Sequence, residues 1–335
     1  MTIMAREIES IPGVVRRQID QSLDRYLETG AHLRERGPAA VVTCARGSSD
    51  HAATYFKYLV ETRIGIPVGS IGPSVASVYE AQLSLRNTPV VTISQSGASS
   101  DLLALQHAAN KTGALTIALT NTAGSPLAEA AAIHLLLEAG PEQAVAATKT
   151  FIASLVALAS IVAGWSADDD LVAAISDLPA VLESAIRTDW SAAIPSISSS
   201  SNLYVVSRGL AYAIAGEAAL KLKETCRLHA EAYSAAELHH GPIELAASGL
   251  TALAFSTRDK SDESIRSATS ALRKAGAEVF VAGATDPLPT TPAAHVALDP
   301  VSQIASFYKF VEQMSVGLGR NPDKPSLLSK VTVTT

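Results

Sequence analysis

Three clusters of side chains in this chain of 335 residues are of types that can do chemistry. The first is Ser94-Gln95-Ser96-Gly97-Ala98-Ser99-Ser100-Asp101, which follows the run Pro89-Val90-Val91-Thr92-Ile93 and leads into a helical pattern. A strand, a hydroxyl-rich turn and a helix start can together aim backbone N–H groups, the helix dipole and several hydroxyls at one anion. The same residues also suit ordinary helix capping, for which Ser and Asp are preferred. A cap uses one hydroxyl, and this stretch supplies more. Ser48 and Ser49, behind Gly47, have the same two readings, and Thr148, at the start of an apolar helical run, could donate to the same ligand.

The second cluster is Glu217, Lys221 and Glu224, which a helix places on one face. A solvated ion-pair ladder of Glu217 with Lys221 would be worth only a few tenths of a kcal/mol. Ala218, Ala219, Leu220 and Leu222 make the helix more apolar than a solvated one, which favours a working carboxylate. The third is Glu237-Leu238-His239-His240-Gly241-Pro242, where Gly-Pro puts a His in a loop rather than mid-helix. Either His alone also reads as an ordinary surface or core imidazole. There is no HExxH, CxxC or Cys/His zinc spacing, so a metal site is rejected.

The elements that must position these residues repeat. The run Ala40-Val41-Val42-Thr43-Cys44 before Arg46-Gly47 is matched by Leu203-Tyr204-Val205-Val206 before Arg208-Gly209. Arg46 to Ser94 and Arg208 to Ser256 are both 48 residues apart. Lys111-Thr112-Gly113-Ala114 and Lys274-Ala275-Gly276-Ala277 each precede a further strand. Finally, Ile133-His134-Leu135-Leu136 pairs with Ala294-His295-Val296-Ala297, each read as a strand before a long helix. Strands that are continuous apolar runs, alternating with helices, specify an α/β fold with two parallel sheets covered on both faces. The expected boundaries are a helical segment at 1–35, a first lobe at 36–187, a linker at 188–202, a second lobe at 203–322 and a tail at 323–335. The loop of the second copy, Ser256-Thr257-Arg258-Asp259-Lys260, lacks the hydroxyl set of the first, so the second copy is expected to serve mainly as scaffold.

Composition sets the remaining bounds. Lys and Arg total 26 against 32 Asp and Glu, which argues against a nucleic-acid binder. Cys44 and Cys226 allow at most one disulfide, and the start carries no secretory signal. The longest apolar run, residues 152–165, is shorter than the roughly 20 residues of a membrane span. No membrane partner and a cytoplasmic location are expected.

The motifs Ser94-Gln95-Ser96-Gly97, Glu217-Ala218-Ala219-Leu220-Lys221-Leu222-Lys223-Glu224, His229-Ala230-Glu231-Ala232-Tyr233, His239-His240-Gly241-Pro242 and Leu328-Ser329-Lys330 resemble the SIS (sugar isomerase) family. The chain is most similar to the isomerase half of glutamine-dependent glucosamine-6-phosphate synthase, from about residue 35 onward. The resemblance implies two tandem lobes, each a flavodoxin-like parallel sheet flanked by helices. It implies that Ser49, Ser94, Gln95, Ser96 and Ser99 hold a sugar phosphate, with Thr148 and the Val145 backbone near the sugar. Glu224 would shuttle a proton between C1 and C2, Lys221 would sit by the C2 substituent, and Lys330 would approach C1 or C2. His240 would open the ring, reaching in from a second subunit of a homodimer with shared sites. No cofactor is implied.

There are departures from that pattern. Residue 2 is Thr where the synthase has a nucleophilic Cys, so a glutaminase domain ahead of the repeat is not expected. Ala147, His239 and Ser326 replace a Ser, a Lys and an Arg around the C1/C2 pocket. The expected activity is therefore an aminosugar-phosphate deaminase–isomerase, converting glucosamine 6-phosphate and water to fructose 6-phosphate and ammonia. A deglycase for fructosamine 6-phosphates and a non-catalytic phosphosugar sensor are the alternatives.

Overall fold

The apolar runs fold as buried parallel strands in two sheets, each in its own lobe of the computed structural model, which describes residues 1–330. The first lobe comprises Gly13–Glu142, Lys149–Ser176 and Lys330; the second comprises Met1–Pro12, Gln143–Thr148 and Asp177–Ser329. In the first lobe the strands are β1 (Val41–Cys44), β2 (Val68–Ser70), β3 (Val90–Ser94), β4 (Thr116–Thr120) and β5 (Ile133–Leu136). They pair in the order β2-β1-β3-β4-β5, all parallel.

The second lobe holds β6 (Leu203–Ser207), β7 (Ala230–Ser234), β8 (Thr251–Phe255), β9 (Glu278–Gly283) and β10 (Leu288–Pro289). Their order, β7-β6-β8-β9-β10, repeats the topology of the first sheet. This is the flavodoxin-like doubly wound order, and the repeat read from sequence is a repeat of fold. The direction in which successive strands are added across the sheet reverses between β1 and β3 and again between β6 and β8, so loops diverge there at the carboxyl ends of the strands.

One repeat landmark is corrected. Residues 294–297 do not form a strand; a 3₁₀ turn spans Val296–Leu298, with His295 Nδ1 accepting from the Ala297 N–H at 3.1 Å. The edge position is taken instead by the short β10, which ends at Pro289, with Pro292 following it; a proline cannot donate to a ladder.

In the first lobe, helix Lys149–Ser166 packs on helix Ser48–Arg63. It alone among the described helices is long and apolar enough to cross a membrane, but 89% of it is buried, as a core helix should be. Against helix Ile11–Arg36 it packs backbone to backbone. A Cβ on Gly30 would lie 2.1 Å from the Ile161 carbonyl, and one on Gly164 2.3 Å from that of Leu27. Only glycine fits at either place.

In the second lobe, Trp190, Phe255, Phe307 and Phe310 form one aromatic cluster, with Trp190 Nε1 donating to the Pro289 carbonyl at 2.8 Å. Residues 188–202, read as linker, therefore carry a buried anchor and a short helix, Ile194–Ser199. The amino-terminal helix Ile3–Glu9 packs on helix Asp299–Gly317. Asp323 caps it, accepting from the Ile3 and Met4 N–H groups at 2.8 and 2.7 Å. Compact packing thus groups both the first residues and the stretch around Asp323 with the second sheet. Cys44 and Cys226 are buried and free, one in each lobe.

Candidate functional site

At the reversal point of the first sheet, β3 ends in Ser94, whose buried Oγ accepts from the Gly97 N–H at 3.2 Å. Ser96 Oγ accepts from the Ala98 N–H at 3.3 Å. Gly97 has φ +63°, and a Cβ there would lie 2.1 Å from Ser125 Oγ, so the turn requires glycine. The Gln95 and Gly97 carbonyls accept from the Asn121 and Leu127 N–H groups at 3.0 Å each, fastening the loop to its neighbour. Ser99 occupies the cap position of helix Ser100–Lys111, but its side chain makes no capping bond. The cap of helix Ser48–Arg63 is Gly47, which has no side chain to offer, and Ser49 lies in the first turn beyond it. Capping therefore does not account for Ser49, Ser96 and Ser99. Two helix N-termini and this hydroxyl set surround the place where a doubly wound sheet takes an anion.

Arg46 adds a cation that sequence reasoning used only as a landmark. Its Nε donates to Asp101 Oδ2 at 2.6 Å, and Asp101 is buried while Arg46 is half-exposed. The pair ties the loop after β1 to the helix after β3. Burial raises the Asp50 pKa against the pull of Arg46. Burial, then Asp101 and Asp50, push the Cys44 thiol up to about 12, which leaves it inert as a nucleophile.

In the second lobe, helix Tyr212–Lys221 continues into a π-helical turn, Leu222–Cys226, that ends with Arg227 in the left-handed region. Glu224 stands on this turn. The sequence pattern implied one continuous α-helical face, whereas π turns are rare and concentrate at functional sites. Lys221 Nζ, fully buried, lies 3.4 Å from Glu217 Oε1 and contacts Glu224 Oε2. Tyr308 Oη donates to Glu217 Oε1 at 2.9 Å. Burial works against the Lys221 ammonium, but Glu217 and Glu224 outweigh it and raise its pKa. Glu217 is also fully buried, while Glu224 is 22% exposed. The order Tyr308, Glu217, Lys221, Glu224 thus runs from the core to the one carboxylate that reaches solvent. Lys221 is positioned to hold Glu224 rather than to touch a substituent itself. Glu224 is an ion-pair member, with Oε2 on Lys221.

His240 ends the short 3₁₀ helix Glu237–His240 and is exposed. Leu238 is buried beneath it, and Tyr204 Oη donates to the Pro242 carbonyl at 3.1 Å, so the loop is held while its imidazole faces outward. Thr148 is fully buried. The Val145 N–H, implied to lie near a sugar, donates instead to the Asp323 carbonyl at 3.0 Å within the second lobe. In the first lobe, Lys330 Nζ donates to Glu142 Oε2 at 2.9 Å. That buried carboxylate also accepts from the Thr150 N–H at 3.1 Å and the Thr150 hydroxyl at 2.7 Å, capping helix Lys149–Ser166. Neither Glu142 nor Tyr308 stood out in the sequence, because each acts through a partner far away along the chain. Among the described residues, no group of three or more His, Cys, Asp or Glu could hold a metal ion.

The profile of the SIS domain matches residues 37–163 and 196–318. The glutamine–fructose-6-phosphate aminotransferase (isomerizing) of Methanothermobacter thermautotrophicus is 33% identical over 98% of this chain and 57% of its own length. That of Halobacterium salinarum is 34% identical over 98% of this chain and 59% of its own length. The chain thus spans less than two thirds of the length of these curated relatives. Among solved structures, a candidate phosphosugar isomerase from Silicibacter pomeroyi is 42% identical, with a TM-score of 0.92 over 96% of this chain and all of its own. The C-terminal domain of glucosamine-fructose-6-phosphate aminotransferase from Francisella tularensis is 25% identical, with a TM-score of 0.87 over 97% of this chain and 98% of its own. A glucosamine-6-phosphate deaminase from Thermotoga maritima, 20% identical, shares the fold at a TM-score of 0.81, covering 99% of this chain and 100% of its own.

Proposed function

The chain belongs to the SIS domain family, and from that premise we propose that it is a phosphosugar deaminase–isomerase, converting glucosamine 6-phosphate and water to fructose 6-phosphate and ammonia. In this reading Ser94, Gln95, Ser96, Ser99 and Ser49 bind the phosphate through hydroxyls and the first-turn N–H groups. Thr148 and the Val145 backbone are assigned to the sugar side. The bound sugar opens with His240 as acid–base group, exposing an aldehyde at C1 and an amine at C2. Glu224 takes the proton from C2 and returns it to C1, which turns the C2 amine into an imine. Water adds to the imine carbon, and ammonia leaves. Lys330 serves as a cation near C1 or C2, and Lys221 orients Glu224. No metal or organic cofactor enters this scheme.

The observation that carries the proposal is the Glu217–Lys221–Glu224 arrangement. A buried ammonium between two carboxylates costs desolvation that a mere binding protein has no need to spend. It fixes one oxygen of a carboxylate that stands on a π turn and is itself 22% exposed. This supports an enzyme over a phosphosugar sensor. Run in reverse, the same groups would load ammonia onto fructose 6-phosphate, the sense in which the curated relatives are named. In an end-point test, the purified chain with glucosamine 6-phosphate should release ammonia and fructose 6-phosphate in equal amounts. Release of neither, with activity on a fructosamine 6-phosphate, would turn the assignment to a deglycase.

A further inference from the structure

The π turn that carries Glu224 does not hold itself. A widened turn interrupts the α-helical ladder, and its carbonyls need other donors. Here side chains supply them. Thr225 Oγ1 donates to the Lys221 carbonyl at 2.7 Å, and Ser315 Oγ donates to the Thr225 carbonyl at 2.8 Å. The Leu222 carbonyl accepts from the Arg227 N–H and, at 3.1 Å, from the Leu228 N–H. Arg227 closes the turn at φ +58°, a left-handed conformation that a non-glycine residue keeps only where its surroundings impose it. Thr225 and Ser315 are both buried, so solvent is not at hand to replace either hydroxyl.

The outside hold comes from one helix. Ser315 and Tyr308 both lie on helix Asp299–Gly317, seven residues apart and therefore on the same face. Ser315 grips the backbone of the turn. Tyr308 acts on side chains: its Oη donates at 2.9 Å to Glu217 Oε1, the oxygen that lies 3.4 Å from Lys221 Nζ. Lys221 in turn contacts Glu224 Oε2. Without Ser315, the Thr225 carbonyl loses its donor, and the segment can wind as the ordinary α-helix that its residue types suit. That rewinding would turn Glu224 about the helix axis, out of the position the π turn gives it. Without the Tyr308 hydroxyl, Glu217 has one donor fewer and draws harder on the ammonium it shares with Glu224.

On the reading that Glu224 is the base, we propose that Ser315 and Tyr308 are its positioning residues, one acting through the backbone and one through Glu217 and Lys221. Ammonia release from glucosamine 6-phosphate by the full chain is measured for Ser315→Ala and Tyr308→Phe, each alone and each combined with Glu224→Gln. Either single variant should lower kcat by about 10-fold with KM near the wild-type value. In the Glu224→Gln background neither should cause further loss, because residues that act as a unit are not additive. Hydrogen–deuterium exchange of the peptide covering residues 222–228 adds a readout that needs no turnover. It should be faster by about 10-fold in Ser315→Ala, as the bond that holds the turn is gone. Unchanged exchange in Ser315→Ala, wild-type kcat in both single variants, or a further loss on top of Glu224→Gln would overturn the positioning roles. No turnover by the wild type, or near-wild-type turnover by Glu224→Gln, would instead overturn the reading of Glu224 on which they rest, and the exchange rates would still decide whether Ser315 holds the turn.

Discussion

Lys221 Nζ lies 3.4 Å from Glu217 Oε1, and both side chains are wholly withdrawn from solvent. Neither group could be buried alone at tolerable cost, because an isolated charge loses its hydration without recompense. The second carboxylate, Glu224, balances the ammonium from its other side. Tyr308 satisfies Glu217 from helix Asp299–Gly317. The consequence is an orientation device: the core of the lobe fixes the ammonium, and the ammonium fixes Glu224.

Breaking this device from one side should be expensive. Lys221→Met leaves Glu217 charged without the ammonium beside it, and should cost about 3–5 kcal/mol of stability in chemical denaturation. Adding Glu217→Gln, which keeps an acceptor for Tyr308 but removes the charge, should recover most of that loss. A double variant as unstable as the single one would show that the buried charge is not what the lysine compensates.

The same pair sets an alkaline limit. The Lys221 pKa in the folded chain is raised above its ordinary 10.5. A raised folded pKa means that the ammonium binds its proton more tightly in the native state. Its contribution is therefore complete below the unfolded value and lost as pH rises through the higher folded one. Relative to the Glu217→Gln, Lys221→Met double variant, the wild type should lose stability only above about pH 10.5. A difference between the two that changes between pH 6 and 9 would contradict this.

The sheets were legible in the sequence because buried parallel strands are continuous apolar runs, and β1, β3, β4, β6 and β8 are buried along their whole length. The edge of the second sheet was not, since β10 has two residues and one is Pro289. The serines of the loop after β3 were legible as a composition, but whether Ser99 caps its helix was a matter of rotamer and needed coordinates. The π turn was invisible, because Leu222-Lys223-Glu224-Thr225-Cys226 suits an α-helix equally well. Glu142 and Tyr308 were invisible for another reason. Their partners Lys330 and Glu217 lie 188 and 91 residues away in the chain, and no local spacing encodes such a contact.

The phosphate assignment is separable from the rest. Ser96 and Ser99 carry half-buried hydroxyls that capping does not use, so Ser96→Ala together with Ser99→Ala should leave the fold intact. KM for a sugar 6-phosphate should rise about 10-fold or more, since two hydrogen bonds to a charged ligand are lost. An unchanged KM would remove phosphate from this loop.

His240 is exposed on a loop that its own lobe holds through Leu238 and Pro242, which fits a residue offered to a second copy of the chain. A Glu224→Gln variant and a His240→Ala variant should each be nearly inactive as pure proteins. After subunit exchange, mixed dimers carry one site with both residues intact, so activity should return to about a quarter of the wild type per chain in an equimolar mixture. Failure to recover after mass spectrometry has shown exchange would mean that each chain supplies its own imidazole.

Glu224 has to be tested as base and as ion-pair member at once, because its Oε2 contacts Lys221. Glu224→Gln removes the charge but keeps a hydrogen-bond acceptor of the same length. Its effect on stability should be modest, on the order of 1 kcal/mol, since the side chain is 22% exposed and Glu217 remains to balance the ammonium. Its effect on chemistry should be large: kcat lower by about 10²-fold or more, with KM near the wild-type value, because a neutral amide can neither take nor return a proton. In deuterated water the wild type should place solvent deuterium at C1 of the ketose product, as a carboxylate exchanges its proton between the two transfers. Glu224→Asp restores the charge on a shorter arm and should recover part of kcat, which a role limited to pairing with Lys221 would not require. If Glu224→Gln turns over at near the wild-type rate, the proton moves by another group and the π turn serves only to close its helix.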